Sequence, residues 1–151
     1  MKKEIKMQAY EIDQKIGILE TLYDKELEFD LSLKMSEILE ELLPKKEWYT
    51  KQMKSIYDIC LAKDKNGDFI PVFNNKDNPK EVTGYKVLKD KESEIREKIE
   101  KLNKTEILLH CSPILLSEFK EGIGKNQIKP KDLYNLRTSF IIDDKDLEDN
   151  D

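Results

Sequence analysis

Arginine is almost absent from this chain: of 27 basic residues only Arg96 and Arg137 are arginines, and the rest are lysines. Arginine is the side chain best suited to bidentate phosphate and base-edge recognition, so its scarcity argues against nucleic acid as a partner. The basic residues are also interleaved with 32 acidic ones, for a net charge of −5, and gather into no basic stretch. No apolar run approaches the ~18 residues that a membrane-spanning helix needs, so no membrane partner is expected. The opening MKKEIKMQAYEID lacks the apolar segment of a secretory signal. With only 5 Gly and 5 Pro and a high charge content, the composition points to helices with solvated faces and away from a disordered tail or a β-sandwich. The two cysteines can build neither a disulfide framework nor, by themselves, a zinc site. Cys60 (in IYDICLA) and Cys111 (in LLHCSP) sit among apolar residues, as small buried hydrophobes do, and fit a reducing cytoplasm.

What is present is charge and helical periodicity. The 151 residues are 39% charged and 38% hydrophobic, enough for one domain if the apolar residues gather on helical stripes. Ile12, Ile16, Leu19, Tyr23 and Leu27 mark such a stripe, with Gly17 expected at a close approach. A second helix is expected from about Leu31 to Leu61. Met35, Leu42, Tyr49 and Ile56 recur every seventh residue, beside a parallel row of Leu39, Met53 and Cys60. Pro44 interrupts it and predicts a kink or short break near Leu43. A third helix over Val87 to Asn103 repeats the spacing through Leu88, Ile95 and Leu102, with Ile99 beside them. Two matching seams predict an antiparallel helical hairpin, and a second copy could also complete them, which allows a homo-oligomer.

Between the two helices lies KDKNGDFIPVFNNKDNPKEVTGYKV, where Asn66-Gly67 signals a hairpin turn. Thr105 to Cys111 reads as a strand whose natural partner is EIKMQAY near the start of the chain. KPKDLYNLRTSFII reads as a closing helix, with Pro130 in its first turn. The expected fold is therefore mainly α (α+β): a helical hairpin, an inserted β-hairpin or loop and a small two-stranded element. Residues 1–143 are expected to form one domain, and the acidic segment 144–151 to fray.

Sites of chemistry are hard to find. Asp64, Asn66 and Asp68 resemble a calcium loop, but Gly67 and Asn75 occupy the wrong positions for one. His110 and Cys111 are neighbours on a strand and would point to opposite faces, so they make no dyad. Carboxylate pairs such as Glu92 with Glu94 arise by chance among so many acids. Gly122-Ile123-Gly124 lacks the context of a phosphate loop and reads as a flexible connection. No catalytic, metal or cofactor residues are therefore expected. The expected partner-binding residues are Phe69, Ile70, Val72 and Phe73 on the hairpin, and Trp48. The four hairpin side chains either fold back onto the helices, the favoured fate, or dock on a partner, and Trp48 could instead cover the edge of Tyr49 in the seam.

Three stretches carry a family resemblance: LSLKMSEILEELLPKKEWYTKQMKSIYDICLAKDKNG with Tyr49, Gln52 and Gly67, then LNKTEILLHCSPILLSEF, and IKPKDLYNLRTSFIID. Together they resemble a family of small tailed-bacteriophage and prophage proteins with no established activity. Pro44 departs from that family's uninterrupted second helix. The resemblance implies a setting, the host cytoplasm or the virion, and no site residues. With that setting, no active-site constellation and paired heptad seams, the expectation is a non-enzymatic protein that contacts a phage structural protein in virion assembly or as a morphogenesis accessory. The alternative is an inhibitor of a host defence or regulatory protein.

Overall fold

The computed structural model describes residues 2–148. The order is β1 (Lys3–Gln8), α1 (Ile12–Tyr23), α2 (Phe29–Cys60), β2 (Pro71–Val72), β3 (Gly84–Tyr85) and α3 (Glu92–Asn103), then β4 (Glu106–Cys111), β5 (Ile114–Leu115), α4 (Leu116–Ile123), α5 (Pro130–Arg137), β6 (Ile141–Ile142) and α6 (Asp144–Glu148). The fold is mainly α with small two-stranded sheets, an α+β arrangement. Contacts gather into two compact units, one made of the residues up to Trp48 and from Lys104 onward, the other of Tyr49–Asn103.

In the first unit β1 and β4 pair antiparallel, Ile5 opposite Leu109 and Met7 opposite Ile107. The alternation is regular: Ile5, Met7, Ile107, Leu109 and Cys111 are buried, while Glu4, Lys6, Glu106 and His110 face solvent. The α1 stripe buries Ile12, Ile16, Leu19 and Leu22, whereas Tyr23 at the helix end is exposed. The first half of α2 adds Leu31, Met35, Ile38, Leu39 and Leu42 to the same core. Met35, Leu39 and Leu42 thus serve the core of the first unit and not a hairpin seam. The reason is length: α3, with 12 residues, rises only about 18 Å, too short to run alongside all 32 residues of α2.

Helix α2 is continuous through Pro44, so the expected break does not occur. Proline deprives the Glu40 carbonyl of its helical donor. Glu40, Leu43 and Pro44 are all exposed, so water can satisfy that carbonyl.

The glycines also differ from expectation. An added Cβ at Gly17 would meet nothing within 4 Å, so no neighbour approaches there. Gly122 is the close contact: a Cβ on it would lie 2.6 Å from the Cβ and Cδ2 of Leu31. Gly124 has φ +57°, where only glycine is comfortable, and it ends α4. Gly122-Ile123-Gly124 is thus a tight helix contact followed by a helix stop. Of the expected frayed segment, Asp144–Glu148 is a short helix and 149–151 lie outside the described residues. Asp144 accepts hydrogen bonds from the backbone N–H and hydroxyl of Ser117 in the first turn of α4, and these hold its carboxyl below the ordinary range.

The second unit is a short antiparallel helix pair closed by a meander. Tyr49 donates its hydroxyl hydrogen bond to Asn103 Oδ1 at one end, and Leu88 N–H donates to the Cys60 carbonyl at the other. Those two links run the last turns of α2 against α3 in opposite directions, with Ile56, Cys60, Ile95 and Leu102 buried.

Candidate partner-binding surface

Asn66-Gly67 does turn the chain, with Gly67 at φ +83°. Asp64 Oδ1 accepts the backbone N–H groups of Asn66 (2.8 Å) and Asp68 (3.1 Å), so this carboxylate organises the turn. A second turn follows, in which Asn75 Oδ1 accepts from Asp77 and Asn78 and the Thr83 hydroxyl donates to the Val72 carbonyl. Both turns hold one small construction. Ala62 N–H donates to the Lys86 carbonyl (2.9 Å), Lys86 N–H to Ile70 (2.8 Å) and Ile70 N–H to Ala62 (3.3 Å). The three segments therefore close on each other in a ring of backbone bonds, which leaves less open edge than a lone hairpin would.

That closure decides where the expected binding residues go. Phe69 is half-buried, its ring edge-on to Tyr85 at 5.9 Å with the Lys63 ammonium 5.6 Å from its centroid. Ile70 is half-buried within the ring of bonds. Phe73 stays 51% exposed just beyond β2. Val72 alone of the expected set lines a concavity of this unit, and Trp48 does not line it.

The concavity is a groove of about 850 Å³ lined by the meander and by the start of α3. Ala62, Val72, Val87 and Ile95 supply apolar walls, with Tyr85 (48% exposed) and Leu88 (38%) standing at its mouth. Leu88 is a correction to the seam reading. It has φ −59° and ψ 136°, ahead of a 3-10 turn at Lys89–Lys91, so it precedes the helix and leaves the heptad phase. Around the groove stand Lys86, Lys89 and Arg96 against the single carboxylate of Glu92. None of the three cations is engaged in an ion pair among the described residues, whereas nearby Glu94 is held by Lys91 (2.8 Å) and Lys98 (3.0 Å). Those two lysines keep the Glu94 carboxyl below the ordinary carboxylate range.

Sequence reading passed over Tyr85, Lys86, Lys89 and Arg96. The one available signal was arginine itself, since one of only two in the chain stands here. Among the described residues no group of three or more His, Cys, Asp or Glu side chains could hold a metal. His110 lies on the exposed face of β4, 4.0 Å from Glu4, while Cys111 is buried on the other face. Burial, with smaller contributions from Glu37 and Glu41, pushes the Cys111 thiol up to about 11, so it stays protonated at neutral pH. No helix is long and apolar enough to cross a membrane among the described residues. Comparison with family models, curated proteins and solved structures finds no match.

Proposed function

We propose that this is a non-enzymatic bacteriophage protein that works by protein–protein contact in virion assembly. The groove of the second unit is its docking surface, and the occupant is a phage structural protein presenting an apolar segment with acidic flanks. One observation carries the reading: in a chain of net charge −5, this groove of mixed apolar and polar lining is flanked by one carboxylate and three cations that make no ion pair among the described residues. Such a rim favours an acidic partner and disfavours basic ones, while Tyr85 and Arg96 are residue types enriched where binding energy concentrates. The phage setting, in the host cytoplasm or the virion, rests on the resemblance of the three sequence stretches.

The test is affinity capture from phage-infected cells with the wild type and with Leu88→Ser/Arg96→Glu. A virion structural protein should be retained by the wild type and lost from the variant, at unchanged melting temperature. Equal recovery by both proteins removes the groove from the reading. Recovery of a host regulatory or defence protein in its place replaces assembly with inhibition.

A further inference from the structure

The β1–β4 sheet has only two strands among the described residues, so each has one open edge. Ala9 N–H donates to the Thr105 carbonyl in the same register that pairs Met7 with Ile107 and Ile5 with Leu109. In an antiparallel ladder the hydrogen-bonded residues alternate. Ile107, Leu109 and Cys111 therefore bond to β1, and the N–H and C=O groups of Glu106, Leu108 and His110 point the other way, without a ladder partner.

The two edges are not alike. On β1 the outward Gln8 N–H is already taken by Glu11 Oε2 at 2.7 Å, and Lys2, Lys3, Glu4 and Lys6 line the strand with charge. A lysine-bearing edge is how natural sheets deter further pairing. On β4 the centre of the open edge is Leu108, 43% exposed on an otherwise polar face.

We propose that β4 is the docking edge for a second copy of this chain, antiparallel about a two-fold axis at Leu108, forming a continuous β1-β4-β4-β1 sheet. The strand is self-complementary in that register. Leu108 meets Leu108 of the other copy, which covers the exposed side chain. Glu106 meets His110 and His110 meets Glu106, so an imidazole N–H faces a carboxylate on both sides of the axis. Each of these opposed pairs falls where both strands turn their free N–H and C=O groups outward, so each exchanges both backbone bonds. Buried faces match as well, because a register centred on a residue keeps Ile107 and Leu109 on the inner side. This surface lies in the first unit and does not depend on the groove reading.

Light scattering after size exclusion, from low to high micromolar protein, should show the wild-type mass rising to that of a dimer. Leu108→Glu should be monomeric throughout, because it places two carboxylates opposite each other at the axis. Within one chain the introduced carboxylate would face Lys6, the cross-strand partner of position 108, which favours the monomer fold. A second measurement does not rely on that variant. Leu108→Cys should form a disulfide-linked dimer under mild oxidation, since opposed Cα atoms about 5.5 Å apart fall inside the disulfide range. Lys6→Cys, one strand further from the axis, should not. The native cysteines are buried and will not compete. A wild type that stays monomeric, a Leu108→Glu protein that still dimerises, or equal cross-linking at positions 6 and 108 would overturn the proposal.

Discussion

The two units spend their apolar residues differently. The first holds most of the buried core, down to a glycine pressed against Leu31 and a lysine sealed inside it, while Phe29, Leu33, Leu108 and Tyr134 stay exposed on its surface. The second buries Ile56, Cys60, Leu61, Ala62, Ile95 and Leu102 and leaves Tyr85, Leu88 and Phe73 substantially exposed. A core fixes a fold by close packing, whereas a surface that must receive a partner has to keep some apolar area uncovered. The cations around the groove have the same character, being left without ion pairs among the described residues while Lys91 and Lys98 are used on Glu94.

The sharpest way to break this contrast is native-state hydrogen exchange. Amides of 61–87 should exchange through openings at least about 2 kcal/mol cheaper than those protecting α1 and the β1–β4 ladder. Equal protection would show that the second unit is as firmly held as the first.

Lys15 comes next. Its side chain is 1% exposed, and its ammonium donates to the Asn135 carbonyl (2.8 Å), Asn135 Oδ1 (3.0 Å) and Thr138 Oγ1 (3.0 Å). Lys15→Met leaves Asn135 Oδ1 and Thr138 Oγ1 without their donor, while the Asn135 carbonyl keeps the Thr138 hydroxyl, and should cost about 2–4 kcal/mol by urea denaturation. Burial, partly offset by Glu11, lowers the Lys15 pKa below 10.5. The unfolded chain therefore holds more protons than the folded one just below pH 10.5, and in that window the advantage of wild type over Lys15→Met should widen as pH rises.

Gly122→Ala should lower stability by about 1–3 kcal/mol, because the new methyl must displace Leu31. Tyr49→Phe removes the bond to Asn103 from the second unit and should cost about 1 kcal/mol. Gly17→Ala is the smallest effect and has the opposite sign. The site is an open position inside α1, so calorimetry should register a gain of about 0.5–1 kcal/mol. Together the two glycine variants test whether tight packing, and not glycine itself, distinguishes the sites.

The elements with strong local periodicity were legible in the sequence. The strand over 105–111 and its partner near the start, the Asn66-Gly67 turn, the Pro130 helix start and a long second helix all match the structure closely. The candidate surface was legible only through Val72. Phe69 and Ile70 read from the sequence as partner-binding residues of an exposed hairpin, but the ring of backbone bonds draws both partly inward, and no period of two or seven encodes that closure.

Alternation and heptad spacing settle which face of a strand or helix is apolar, because neighbours two, three or four residues apart share a face whatever lies elsewhere. They do not settle which neighbour covers it. Lys15 is buried only because Asn135 and Thr138, more than a hundred residues on, bring three oxygens to its ammonium. Leu88 leaves its heptad row because the chain enters α3 through a 3-10 turn hydrogen-bonded back to Cys60. Gly122 is constrained and Gly17 dispensable because Leu31 stands beside one and nothing beside the other. Local sequence sets the periodicity of each element, and the long-range contacts decide which of its residues are buried, exposed or pressed together.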